Sequence, residues 1–190
     1  MANSLAQELQ SEDSIQAQSL YERSIQVKIR PELRDINGLA ISHNGLGRIA
    51  LFAQPMDLVE AKRHFQESLK YAKQMGSSMD MSKSHSFLGE CAQKESDYQQ
   101  AVRHYRQSYQ LAMTSIDKGF AGAGLLQSLS AQGDLSALDM FGQALTVELE
   151  TSGEIPSPCR QQMEDALNSC RQLTQSEWLS KLEQLMSTVE

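Results

Sequence analysis

Four stretches of this chain repeat one spaced pattern of side chains. They are Ala17, Tyr21, Ser24 and Ile25; Ala61, Phe65, Ser68 and Leu69; Ala101, Tyr105, Ser108 and Tyr109; and Ala137, Phe141, Ala144 and Leu145. Each reads small, aromatic, small, apolar, at steps of four, three and one, which places all its members on one helical face. The small residues admit a neighbouring helix closely, and the ring fills the space between helices. The leading alanines are 44, 40 and 36 residues apart, an interval that fits a helix pair with loops of varying length.

A second echo runs about one helix upstream. His43, Leu46, Gly47 and Ala50 recur as His85, Leu88, Gly89 and Ala92, with a weaker copy around Phe120, Ala123 and Gly124. A glycine inside a helix costs about 1 kcal/mol relative to alanine. Its recurrence after leucine predicts tight backbone contact with the partner helix. Turn signals separate the two echoes, and Asp57, Ser96 or Asp97, and Asp134 are candidate N-caps of each second helix. The pattern predicts helices near 3–11, 14–30, 35–53, 57–75, 78–95, 97–116, 118–131 and 134–151. After the breaker cluster at 151–158 come two more, at 158–173 and 176–187, the last capped by Ser176. Trp178, Leu179, Leu182, Leu185 and Met186 make an apolar stripe on it.

Composition agrees with helices. Leucine outnumbers isoleucine plus valine 23 to 13, and only 11 residues are aromatic. No apolar run approaches the roughly 20 residues of a membrane span, and Met1-Ala2-Asn3-Ser4 shows no secretory signal, so no membrane partner is expected. A net charge of −7 argues against a nucleic-acid partner. Basic residues such as Arg23, Lys28, Arg30 and Arg34 are interleaved with Glu22, Glu32 and Asp35, as on a solvated mixed face. Three cysteines cannot all pair, and Cys91, Cys159 and Cys170 match no metal or redox spacing, which points to a reducing cytoplasm.

Leu-Gly followed by a small residue, then Ala, Phe or Tyr, and Ala or Ser with Leu, resembles the tetratricopeptide repeat (TPR). The interval near 40 is similar to that family's longer-helix variety, found in bacterial regulators and in polarity and kinesin-light-chain adaptors. The likeness covers roughly residues 14–150 and is closest at 39–112. It implies an all-α, right-handed α-solenoid of about four TPR-like helix pairs plus a C-terminal capping helix pair. One domain, 1–190, would comprise a partial first repeat at 1–34, a second at 35–76, a third at 77–116, a degenerate fourth at 117–152 and capping helices at 156–190.

The resemblance also implies a function. In the family, the first helix of each pair lines a concave groove that takes a peptide or partner protein. Carried over residue by residue, the groove positions are Ile41, Asn44, Arg48 and Leu51 in the second repeat, and Lys83, Ser86, Glu90 and Gln93 in the third. Lys118, Ala121, Leu125 and Ser128 would follow in the fourth. Asn44 can bond a peptide amide through donor and acceptor, and Arg48 and Lys83 offer cations to a carboxylate. The expectation is a non-enzymatic protein–protein interaction module in the cytoplasm. A self-associating scaffold, forming a homo-oligomer through the C-terminal helices around Trp178, and a peptide-responsive sensor are the alternatives.

Candidate chemistry is sparse. His43 and His85 share one repeat position, and His64 and His104 share another. Repetition at the same register reads as a structural role, with a pH-sensitive groove and a ladder converging on an ion as the alternatives. Cys91 reads as a buried thiol. Glu148 with Glu150, and Glu164 with Asp165, diverge on helices and read as solvated surface. Gly119, Gly122 and Gly124 lack the strand and Lys-Ser end of a phosphate loop and read as close helix packing. No catalytic residues, no metal and no cofactor are expected.

Overall fold

The computed structural model describes residues 2–30, 35–152 and 156–187, with side chains described from 13 onward except at 152. Among the described residues there are nine α-helices and no strand: α1 (Ala2–Lys28), α2 (Ile36–Phe52), α3 (Leu58–Met75), α4 (Ser78–Lys94), α5 (Tyr98–Leu111), α6 (Ser115–Gln132), α7 (Leu135–Ser152), α8 (Arg160–Arg171) and α9 (Glu177–Ser187). A 3-10 turn, Ser157–Cys159, leads into α8. The chain divides into two compact units, Met1–Ser84 and His85–Glu190. Arg34 and the middle of the breaker cluster, 153–155, lie outside the described residues, as do 188–190 of the expected cap.

Two expected boundaries differ. The helices expected at 3–11 and 14–30 are one continuous α1, because Gln10-Ser11-Glu12-Asp13 contains neither proline nor glycine to stop it. The helix expected at 97–116 ends at Leu111, because Thr114 caps the next one, its hydroxyl accepting from the Asp117 amide at 3.1 Å.

The helix ends explain most of the rest. Asp57 accepts from the Glu60 amide and Asp97 from the Gln100 amide, each at 3.0 Å, and Asp134 accepts from the Ala137 amide at 3.0 Å. Ser77 caps α4 reciprocally with Asp80, whose amide donates back at 3.3 Å. Ser176 sits just before α9, but its hydroxyl donates to Asp139 at 2.6 Å. Three helices close with the same double-bonded turn, in which the left-handed residue is Gly76, Ser96 or Gly133.

In the first unit, α1 packs on α2 and α2 on α3. Ala61, Phe65, Leu69 and Ala72 form the buried stripe of α3 against Leu39, Leu46 and Leu51 of α2. A Cβ on Gly47 would stand 2.6 Å from the Phe65 ring, so the glycine after Leu46 is what lets that ring sit fully buried. The small repeat positions are hydrogen-bonded between successive helices. Ser24 of α1 accepts from Ser42 of α2 at 3.0 Å, and Ser68 of α3 accepts from Ser84 of α4 at 3.1 Å while donating to the Ala40 carbonyl.

The second unit repeats the glycine-to-ring device. Tyr105 of α5 lies against Gly89 of α4 and Gly124 of α6, at 3.0 and 2.4 Å from the Cβ each would carry. Here α5 packs on α6, α6 on α7 and α8, α7 on α9, and α8 on α9. Trp178, Leu179, Leu182 and Met186 are buried in the same cluster as Leu126, Leu138, Leu145 and Met163. Gly119 abuts Cys159, Gly122 abuts Tyr109 and Gly124 abuts Tyr105, which is the close packing expected of that glycine run.

Candidate functional site

The expected groove residues differ in what they offer. On α2, Ile41 is 52% exposed, Arg48 is exposed and Asn44 is half-buried. Positions 41, 44 and 48 share a face of the helix. Leu51, at 2% exposure, belongs to the first unit's core. Its side chain is therefore packing, not a surface contact. Lys83, at the end of the same unit, is exposed.

In the second unit, Ser86, Glu90 and Gln93 are all half-buried. Burial raises the Glu90 carboxyl above its usual range, with the Lys94 ammonium 3.8 Å away opposing the shift. The Gln93 amide is fully engaged: it donates to Ser128 Oγ at 2.8 Å and to the Gly124 carbonyl at 3.2 Å, and accepts from the Tyr105 hydroxyl at 2.8 Å. Gln93 thus bridges α4, α5 and α6. On α6 the corresponding set turns inward, with Ala121, Leu125 and Ser128 buried beneath the helices packed on either side. Lys118 instead pairs with Glu148.

Glu148 departs from the solvated role expected of it. It accepts from the Tyr109 hydroxyl at 2.5 Å and from the Lys118 ammonium, joining α5, α6 and α7. Those two bonds outweigh the cost of burial and hold its carboxyl below the usual value. Sequence spacing carries no sign of this, because its two partners lie 39 and 30 residues before it.

The histidines pair in a way their register alone did not reveal. His43 of α2 meets His64 of α3 with the two Nδ1 atoms 2.9 Å apart, and His85 of α4 meets His104 of α5 at 3.1 Å. Ring centroids are 5.2 and 5.3 Å apart and the planes tilt by 39° and 37°. The contact therefore joins the two helices of a pair. Two recurring histidines in antiparallel partners, one per helix, were the available signal. Among the described residues, no three or more His, Cys, Asp or Glu side chains converge to hold a metal ion. Cys91, Cys159 and Cys170 are buried thiols outside any disulfide, and burial pushes the Cys170 thiol up to about 11.

On α2 an apolar side chain, an amide and a guanidinium lie along one face. Against known proteins, the chain matches no family model, no curated protein and no solved structure. Among the described residues no helix is long and apolar enough to cross a membrane.

Proposed function

We propose that the chain is a non-enzymatic interaction module of the cytoplasm, its TPR-like helix pairs stacked as a right-handed solenoid that holds a peptide or partner protein. The recurrence of local contacts supports the repeat: glycine against ring at Gly47 and Phe65 and at Gly89 and Tyr105, and serine to serine between successive helices. The observation that carries the binding role is Ile41, an aliphatic side chain 52% exposed on the same face as Asn44 and Arg48. That combination suits an extended polypeptide: apolar contact for a side chain, an amide for its backbone and a cation for a carboxylate.

Affinity capture with mass spectrometry tests this, comparing the native chain with Ile41→Asp and with the double variant Arg48→Glu plus Lys83→Glu. These side chains are surface residues, so the variants should keep their helical content. Proteins retained by the native chain and lost from both variants would place binding on this face. Equal retention by all three would remove it. The alternative of self-assembly through Trp178 has less in its favour, since that side chain is 3% exposed and already spent on the chain's own core.

A further inference from the structure

The His43–His64 contact has a defined direction. Arg63 Nη2 lies 2.9 Å from His64 Nε2, and a guanidinium can only donate, so Nε2 accepts. A neutral His64 then carries its proton on Nδ1 and donates it across 2.9 Å to Nδ1 of His43, whose own proton must sit on Nε2. The bond needs one proton between the two nitrogens. Placing a second there would set two N–H groups against each other.

We propose that this contact is a proton-operated latch between α2 and α3, closed while one proton lies between the facing nitrogens and opened when both rings become imidazolium. The first added proton goes to His64 Nε2. Glu60 Oε2, 3.7 Å from that nitrogen, can take its hydrogen bond as Arg63 leaves, and the Nδ1–H···Nδ1 bond survives. The second proton can enter only at His43 Nδ1, and it ends the bond.

The surroundings bias the pair toward the closed state. His43 is 8% exposed and stacks on Tyr71 at 5.7 Å between centroids. Burial first, then the neighbouring His64, pushes its pKa down to about 4, with Arg63 and Lys70 adding to the shift and Glu67 opposing it. His64 is lowered by burial and Arg63, against Glu60, Glu67 and, from α1, Glu22. Both rings thus bind protons less readily than in the unfolded chain, where histidine titrates near 6.5. Stability from the contact is complete above that pH and is lost as pH falls toward about 4. His85 and His104 repeat the ring geometry in the next helix pair.

Nitrogen–proton correlation NMR of the intact chain tests the direction without any variant. At neutral pH, His64 should show the Nδ1–H tautomer and His43 the Nε2–H tautomer. Amide exchange, corrected for intrinsic rates, should then lose protection in α2 and α3 by roughly ten- to a hundredfold between about pH 7 and about pH 4.5. His43→Phe keeps a ring on Tyr71 but removes the nitrogen, and should abolish most of that loss. The opposite tautomers, an unshifted His43 titration with constant protection, or an equal loss in His43→Phe would overturn the latch. If that variant does not fold, the tautomers and titration of the native chain decide alone.

Discussion

A Cβ atom on Gly142 would stand 2.4 Å from the indole of Trp178, so α7 and α9 meet as closely as a bare backbone permits. Alanine there gains about 1 kcal/mol of helix propensity. Overpacking against a rigid, buried ring costs about 1–3 kcal/mol and more when nothing can shift. Gly142→Ala should therefore lower the unfolding midpoint and red-shift the emission of Trp178, the chain's one tryptophan. A raised midpoint with unchanged emission would mean that the ring moves aside at no cost.

Tyr105 offers an internal comparison. Its ring lies 2.4 Å from the Cβ that Gly124 would carry but 3.0 Å from that of Gly89. The first distance demands displacement of the ring, whose hydroxyl is anchored on Gln93 at 2.8 Å, while the second asks for a few tenths of an ångström. Gly124→Ala should destabilise more than Gly89→Ala, by about 1 kcal/mol or more. Denaturant titration of the two variants reads the order directly, and a reversed order contradicts the packing described.

Ser96 adopts φ of 60° in the same turn where Gly76 and Gly133 close their helices. A side chain in the left-handed region costs about 1 kcal/mol that glycine avoids. Ser96→Gly is expected to stabilise by about 0.5–1 kcal/mol, offset in part by the flexibility glycine adds to the unfolded chain. Gly133→Ala should do the reverse. Thermal unfolding of both measures the pair.

Asp139 ties the α8–α9 connection to α7. Its Oδ1 accepts from Ser176 Oγ at 2.6 Å, from the Trp178 indole at 2.8 Å and from Thr174 Oγ1 at 3.4 Å. The bond from Ser176 first, then that from Trp178, lowers the carboxyl's pKa below its usual value. The contribution to stability is therefore present above about pH 4, where the unfolded carboxylate is ionised, and fades as pH falls through the folded value. Asp139→Ala should lower the midpoint at neutral pH and flatten this acid limb, with Asp139→Asn in between. Trp178 emission against pH provides the readout.

Helix content and pairing were legible because they depend on local chemistry. The steps between Ala61, Phe65 and Leu69 can form one face only in a helix, and Asp57, Asp97 and Asp134 mark starts through bonds three residues away. The glycine after Leu46 and after Leu88 pointed to close approach, and Phe65 and Tyr105 are the rings that approach. The groove positions were less secure. Ile41 and Lys83 lie at the surface, whereas Leu51 is core and Gln93 is occupied by Ser128, Gly124 and Tyr105. Spacing places a side chain on a face but does not say which neighbour covers that face.

What could be read from the order of residues alone is therefore most of the helices, the caps at Asp57, Asp97 and Asp134, and the small-against-aromatic seams. Each of these depends on interactions within a turn or on a periodicity carried along one element. Which side chains meet across elements needed the folded chain. His43 on His64, Glu148 between Tyr109 and Lys118, and Trp178 on Asp139 join residues 21 to 39 positions apart. Such contacts depend on the rotation and offset of one helix on another, and side-chain shape sets those only once the core has closed.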